Sequence, residues 1–190
     1  MGKSAVAQIL KERGVSVVDT DDLARKVVEK GQPALDELRA AFGGDAIGSD
    51  GCLRRAWMAR LVFSDPEARR NLEAILHPRV MERWRAEANR WLREGCRVGV
   101  VVIPLLFETN SEDEFDTTIC VACSSVTQMK RLEQRGWDSE ESSRRIGAQL
   151  SIERKMHLSE YVVWTEGRLV STEQQLERLF RTEHVTLDRT

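Results

Sequence analysis

"GKSAVAQILKERGVSVVDTDD", residues 2–22, combines a Gly-Lys-Ser tripeptide, a helical pattern, a short apolar run and a cluster of carboxylates. Val6, Ile9 and Leu10 lie on one face of the expected helix, and Gly14 is placed to end it. The run "VSVV" then predicts a buried strand, and the carboxylates follow where this strand ends. Because ligands of open α/β sheets bind outside the carboxyl ends of the strands, the stretch predicts an α/β fold with a site at this edge.

The Gly-Lys-Ser tripeptide matches the last three positions of a phosphate-binding loop. In such a loop, backbone N–H groups surround the phosphates, the lysine contacts the β and γ phosphates, and a serine hydroxyl binds magnesium. Gly2, Lys3 and Ser4 occupy these positions, and the positive end of the following helix would point at the bound anion. A tripeptide this short also occurs by chance, so the helix, strand and carboxylates after it are what favour a nucleotide site.

Three further apolar runs alternate with helical patterns along the chain. They are "VGVVVIPLL" at 98–106, "TTICVA" at 117–122 and "YVVW" at 161–164. These runs are nearly continuous, which is typical of parallel strands that are covered on both faces. Residues 31–95 have an almost wholly helical pattern, broken at "FGGDAIGSDG" and at "LHP", and are too long for one crossover helix. We therefore expect a parallel sheet with a helical region beside it.

Composition limits the class of partner. Charged residues make up 32% of the chain but nearly cancel, to a net charge of -2, so no basic field would attract nucleic acid or an anionic membrane. No apolar run reaches the ~20 residues of a membrane span, and no signal-peptide pattern follows Met1. The cysteines at 52, 96, 120 and 123 are typical of reduced, inert thiols. We expect a cytoplasmic protein that acts on a small molecule.

Together these motifs resemble the dephospho-CoA kinase family. The similar stretches follow the family's order and spacing from Gly2 to about Gly167, and they are "GKSAVAQILKERGVSVVDTDDLARKVV", "GSDGCLRRAWMARLVFSDPEARRNLEAILHPRV", "VVIPLLFE", "QMKRLEQR" and "IGAQLSIERKMHLSEYVV". The resemblance implies a P-loop kinase-like parallel sheet flanked by helices, in a single domain over residues 1–190. It also implies a helical substrate-binding region at about 31–95 and an arginine-rich lid at about 136–155.

The activity that the resemblance implies is transfer of the γ-phosphoryl group of ATP, with Mg²⁺, to the ribose 3′-hydroxyl of dephospho-CoA. Asp21 matches the family's catalytic aspartate, which orients or deprotonates that hydroxyl. Lys3 and Arg131 would stabilise the transferred phosphoryl group. Arg135 lies one helical turn after Arg131, so both would bind phosphate from one helix face.

The resemblance assigns further residues to the metal and to the acceptor. Ser4 and Asp19 would hold magnesium, Asp19 through a water molecule. His77 in "LHP", and Pro104 and Glu108 in "IPLLFE", belong to the side that binds the CoA substrate, together with "LRR" at 53–55. Weaker phosphate candidates in the lid are Arg144, Arg145 and Arg154.

Each of these groups also has an ordinary structural interpretation. The carboxylates at 19–22 are typical of a solvated turn, in which Asp22 would begin the next helix. The pair of arginines is typical of a salt-bridged helix surface, and the histidine of a helix end. The segment "WTEG" at 164–167 departs from the polar "DN" that the family usually has after this strand, on the adenine side.

Family members begin with a strand and a glycine-rich turn ahead of the position of Gly2, and residues 1–190 contain no counterpart. Four apolar residues buried in a central strand contribute ~6–12 kcal/mol, comparable with the ~5–15 kcal/mol of a whole domain. We therefore expect the first strand to be missing and a chain starting at Met1 to be unstable. Met1 is then either a start assigned inside a longer reading frame, which the retained site residues favour, or the mark of a lost phosphate loop.

Two other functions stay open from the sequence. One is a different small-molecule or nucleotide kinase of the P-loop class, which would transfer phosphate to AMP, CMP or shikimate instead of dephospho-CoA. The other is a catalytically dead remnant that binds a CoA precursor but no Mg-ATP. The sequence does not indicate an oligomeric state.

Overall fold

The computed structural model of the chain describes residues 1–183 and 187, and residues 184–186 and 188–190, at the end of the predicted domain, lie outside the described residues. The chain divides into two compact units. The first unit contains Met1–Val17 and Val102–Thr190, and the second contains Val18–Val101.

Four strands are separated by groups of helices along most of the described chain. The helices are α1 (Lys3–Glu12), α2 (Thr20–Lys26), α3 (Ala34–Phe42), α4 (Arg55–Ser64), α5 (Pro66–Arg93), α6 (Ser125–Glu133), α7 (Ser139–Gly147), α8 (Ile152–Leu158) and α9 (Leu169–Thr182). The strands are β1 (Ser16–Asp19), β2 (Gly99–Val102), β3 (Ile119–Ala122) and β4 (Tyr161–Trp164). β3 and β4 are parallel, in register from Ile119 with Tyr161 to Ala122 with Trp164, and β1 and β2 are neighbours in a second two-stranded sheet. The predicted α/β class is confirmed.

Each predicted apolar run contains a strand, but the second strand is shorter than predicted. β2 ends at Val102, whereas the apolar run continues to Leu106. Pro104 has no N–H to donate to a sheet and its φ is fixed, so the chain leaves the strand and continues in turns to Asn110.

The first unit packs α1 against α9 and α8 against β3. The apolar face that the pattern predicted for α1 is buried, and Gly14, at a φ of +76°, ends the helix in the left-handed conformation. The guanidinium of Arg13 forms an ion pair of 2.9 Å with Glu177 of α9. This packing fixes α1, and therefore the Gly-Lys-Ser segment at its start, within the unit.

The second unit has a helical core between α3, α4 and α5. Its buried residues are Val27, Val28, Ala34, Leu35, Leu38, Ala46, Ile47 and Met58. The predicted break at "LHP" is wrong, because α5 continues through Pro78. Pro78 has no N–H to donate to the carbonyl oxygen of Ala74, whereas the carbonyl oxygen of Ile75, one residue later, accepts from Arg79 Nη1 at 2.6 Å.

Candidate active site

The start of α1 is built around Gly2. Its φ of +91° is the left-handed conformation, and a Cβ added at this position would lie 2.7 Å from Oγ1 of Thr165. Both the backbone angle and the close approach therefore require glycine. Lys3 and Ser4 follow in the first turn of the helix, where backbone N–H groups point away from the helix body toward a ligand.

Thr165, just after β4, connects this turn to Arg131 of α6. Its Oγ1 accepts a hydrogen bond from Arg131 Nη1 at 3.0 Å, and its carbonyl oxygen accepts one from Arg131 Nη2 at 2.6 Å. The same hydroxyl lies 2.9 Å from the carbonyl oxygen of Met1 and 3.0 Å from that of Ala122, and donates its proton to one of them. The threonine is buried, so it holds the guanidinium beside the start of α1.

Positive charges converge at this end of α1. Burial lowers the pKa of the Met1 amino group, and repulsion from Lys3, Arg131 and Arg135 lowers it further, while Cys123 acts in the opposite direction. In the part of the chain that the structure describes, no carboxylate forms an ion pair with either arginine. The arginine charges are therefore uncompensated, as a site for phosphate requires.

Glu166, next to Thr165, holds the other end of α6. Its carboxylate accepts hydrogen bonds from the hydroxyls of Ser124 and Thr127 and from the Ser124 backbone N–H at 3.3 Å. The Ser124 hydroxyl bond, followed by the Thr127 bond, holds the pKa of Glu166 below its ordinary value of 4.5. Sequence reasoning missed the roles of residues 165 and 166, and the available signal was the "WTEG" departure itself.

A second cluster joins the segment after β2 to α8. Lys155 Nζ lies 2.7 Å from Glu108 Oε1 and donates to the carbonyl oxygen of Pro104 at 3.1 Å. Glu108 Oε1 also accepts from the backbone N–H of Leu150 at 3.0 Å, whereas its Oε2 is buried and has no hydrogen-bond partner among the described residues. Lys155 was not predicted as a site residue, although its position three residues after Ile152 puts it on the inward face of α8.

Two lid arginines pair with carboxylates of their own helix. Arg145 Nη2 lies 2.8 Å from Glu141 Oε1, and its guanidinium stacks 4.1 Å from the ring centre of Trp137. Arg144 lies 3.9 Å from Glu140. Both of these weaker phosphate candidates are therefore paired with carboxylates within α7.

The carboxylates of the second unit stand at the start of α2. Asp19 Oδ1 accepts from the backbone N–H of Asp21 at 2.8 Å and so caps the helix. Asp21 and Asp22 are exposed in the first turn, and Asp22 forms an ion pair of 2.8 Å with Arg25. Asp22 therefore belongs to the helix start, as expected.

The remaining acceptor-side candidates also lie in the second unit. His77 is exposed on α5, the helix that packs against α2. A cavity of about 510 Å³ is lined by residues 47–50 and 52–54, which include the first two residues of "LRR". In the described ranges, 1–183 and 187, no group of three or more His, Cys, Asp or Glu side chains could hold a metal ion.

The predicted magnesium ligands are compatible with a metal held mainly by substrate phosphates. Ser4 and Asp19 each offer one oxygen, since the helix cap uses only Oδ1 of the aspartate. Magnesium at nucleotide sites keeps several waters and needs only one or two protein ligands besides the substrate phosphates. A search of the described helices finds none that is long and apolar enough to cross a membrane.

The chain is similar to known proteins over most of its length. The family model of dephospho-CoA kinase (CoaE) matches residues 1–171. A dephospho-CoA kinase of Bacillus cereus is 35% identical over 181 residues, which are 95% of this chain and 90% of the relative. The crystal structure of TT1252 from Thermus thermophilus superposes with a TM-score of 0.80 at 34% identity, covering 95% of this chain and 91% of that one.

A dephospho-CoA kinase from Campylobacter jejuni has a TM-score of 0.69 at 22% identity, covering 96% of this chain and 91% of that one, and at this identity it supports the fold alone. The family model spans the start of α1, both clusters of the first unit and the carboxylates at the start of α2. The chain belongs to the dephospho-CoA kinase family.

Proposed function

We propose that this chain phosphorylates the ribose 3′-hydroxyl of dephospho-CoA with ATP and Mg²⁺, giving coenzyme A and ADP, in the cytoplasm. The observation that carries the proposal is Arg131, held beside the start of α1 with its charge uncompensated by any described carboxylate. Family membership supplies the substrates, and this geometry supplies a place for the phosphates of one of them.

At the phosphate end, Gly2, Lys3 and Ser4 bind the β and γ phosphates as the last residues of a phosphate loop. Arg131 stabilises the charge on the transferred phosphoryl group, and Arg135 binds phosphate from the next turn of the same helix. The left-handed glycine ahead of a helix supports this role, since such turns aim backbone N–H groups at an anion. The lid at about 136–155 closes over this end of the site.

Ser4 and Asp19 would hold the metal, with Asp19 acting through water. Bound there, magnesium would neutralise charge on the β and γ phosphate oxygens. The exposed Ser4 hydroxyl and the second carboxylate oxygen of Asp19 support this assignment.

Asp21 aligns the acceptor and takes its proton. A bond forms between the 3′-oxygen and the γ-phosphorus, the bond from that phosphorus to the ADP oxygen breaks, and the hydroxyl proton passes to the Asp21 carboxylate. Its exposure in the first turn of α2 supports the assignment.

The acceptor binds through residues 31–95, with His77 on its surface and the cavity beside "LRR" receiving part of the molecule. Pro104 and Glu108 belong to the acceptor side, where Lys155 and the backbone N–H of Leu150 hold the Glu108 carboxylate in place. The carbonyl oxygen of Pro104 already accepts a hydrogen bond from Lys155, so the role of Pro104 is to shape the segment after β2.

We also propose that residues 1–190 form one P-loop kinase domain whose sheet lacks its first strand. The strands form two separate two-stranded sheets in the described chain, whereas parallel strands ordinarily belong to larger sheets. A further strand would unite such pairs into the parallel sheet of a P-loop kinase.

The test compares Asp21→Asn with Asp22→Asn, measuring ADP release that depends on dephospho-CoA. Loss of the general base lowers kcat by about 10²–10⁴-fold, and the neighbouring control retains activity because its carboxylate only pairs with Arg25. Equal kcat in the two variants would contradict the role of Asp21.

Acceptor choice and ligand binding separate the alternative functions. ADP release with AMP, CMP or shikimate in place of dephospho-CoA would indicate a different kinase. Thermal stabilisation by dephospho-CoA but none by Mg-ATP would indicate a protein that binds the precursor without catalysis.

A further inference from the structure

Lys155 is a cation buried inside the first unit. Only 6% of its surface is exposed, although lysine is among the residues that are almost never fully buried unless paired. Its ammonium group has three donors, and three acceptors surround it. These are Glu108 Oε1 at 2.7 Å, the Pro104 carbonyl oxygen at 3.1 Å and Gln149 Oε1 at 3.3 Å.

The acceptors come from two separate parts of the chain. Pro104 and Glu108 belong to the turns after β2, whereas Gln149 lies in the connection between α7 and α8. The same connection is held a second time, because the backbone N–H of Leu150 donates to Glu108 Oε1 at 3.0 Å. One carboxylate oxygen therefore binds both the connection and the lysine that follows it in α8.

The position of α8 makes these contacts an anchor. α8 packs against β3, so its lysine is fixed relative to the sheet. The connection at 148–151 joins α7 to α8, and two arginines of α7 pair with glutamates of their own helix. Contacts at the connection therefore fix the end of α7 relative to α8.

A buried ion pair that served stability alone would not need this arrangement. Replacing such a pair by apolar residues is often neutral or stabilising, so the pair is weak evidence for a role in stability alone. Two contacts to the connection, from Leu150 and Gln149, are not required to neutralise the charges.

We propose that Lys155 and Glu108 are positioning residues, which anchor the connection at 148–151 and thereby hold the lid in place to close on ATP. This inference rests on the proposed function, because the lid is assigned to the ATP phosphates there. Lys155 does not touch ATP and acts through the orientation of α7.

The test uses Lys155→Met, the double variant Lys155→Met/Glu108→Leu, and Lys11→Met as a matched control on the exposed face of α1. The single variant leaves a buried carboxylate unpaired, so its unfolding midpoint falls. The double variant has no unpaired charge and regains that midpoint, yet it still lacks both contacts to the connection.

Two measurements test whether Lys155 and Glu108 anchor the connection at 148–151. One is amide hydrogen exchange at 139–147 relative to α9, and the other is KM for ATP relative to kcat. We expect exchange in α7 and KM for ATP each to rise about tenfold in the single and double variants, with a smaller change in kcat. Lys11→Met keeps wild-type values of both.

The proposal is overturned if the double variant regains wild-type exchange in α7 and wild-type KM for ATP as well as the unfolding midpoint. The ion pair would then be merely structural. Exchange that rises equally in α7 and α9 would overturn it as well. If the wild-type chain transfers no phosphate to dephospho-CoA, the proposed function fails, and the ratio of exchange in α7 to that in α9 still decides whether the pair anchors the connection.

Discussion

Arg131 and Lys155 are cations of the same unit that are held in place by different kinds of acceptor. Arg131 donates to a hydroxyl and a carbonyl oxygen of Thr165, which carry no net charge. Lys155 is paired with the carboxylate of Glu108. The first residue therefore keeps its full positive charge, whereas the charge of the second is cancelled inside the protein.

The difference separates a ligand-binding cation from a structural one. Neutral acceptors fix the direction of a guanidinium without reducing its attraction for an anion, so the site is organised before phosphate arrives. A carboxylate partner fixes a cation equally well, but its negative charge cancels most of the electrostatic attraction for an anionic ligand. Among buried cations, the charge of the partner is thus more informative than burial.

The largest effect is expected from Arg131→Met, which removes the uncompensated charge and keeps an apolar stem. We expect kcat to fall about 10³-fold or more, because a positioned arginine contributes this much to phosphoryl transfer, while the unfolding midpoint changes little. Arg178→Met, on the exposed surface of α9, is the matched control. Near-normal kcat in the Arg131 variant would mean that the two cations do not differ as described.

A smaller effect is expected from Thr165→Val, which keeps the shape of the side chain and removes the acceptor for Arg131 Nη1. The backbone acceptor remains, so the guanidinium is loosened and not released. KM for ATP should rise about tenfold, in line with one hydrogen bond to a charged group, and Thr165→Ser should restore it. Failure of the serine variant to restore KM would assign the effect to packing.

The smallest effect is expected from Glu166→Gln, measured as unfolding free energy against pH. The folded pKa of Glu166 lies below its ordinary value of 4.5, so its carboxylate adds stability above pH 4.5 that is lost as the pH falls through the lowered pKa. The variant should be slightly less stable at neutral pH and should lose less stability on acidification. Parallel curves for the two proteins would contradict this.

Much of the fold could be predicted from local sequence patterns. Continuous Val and Ile runs located the strands, and the spacing of apolar residues located α1, because both signals lie within a few neighbouring residues. The end of β2 and the continuity of α5 were harder to predict. One proline ended a strand earlier than expected, and another lay within a helix that continues through it.

The same difference between local and long-range signals applies to the residues of the site. Residues 2–4 and 19–22 are short contiguous motifs and could be predicted, although their roles remain proposals. Thr165 and Lys155 could not, because each acts through partners more than thirty residues away in sequence, and neither belongs to a local motif. Long-range contacts of this kind become visible only when the chain is folded.

Adjacent residues hold α6 at two levels along its axis. Glu166 binds Thr127 and Thr165 binds Arg131, four residues later, which is about 6 Å along a helix. A helix that is held at two points along its axis can neither rotate about that axis nor shift along it. The spacing of Thr165 and Glu166 therefore sets the orientation of the Arg131 guanidinium. One inserted residue would lengthen the path by about 3.5 Å. Surface loops usually tolerate such changes in length, but the loop after β4 should be among the least tolerant of them in this chain.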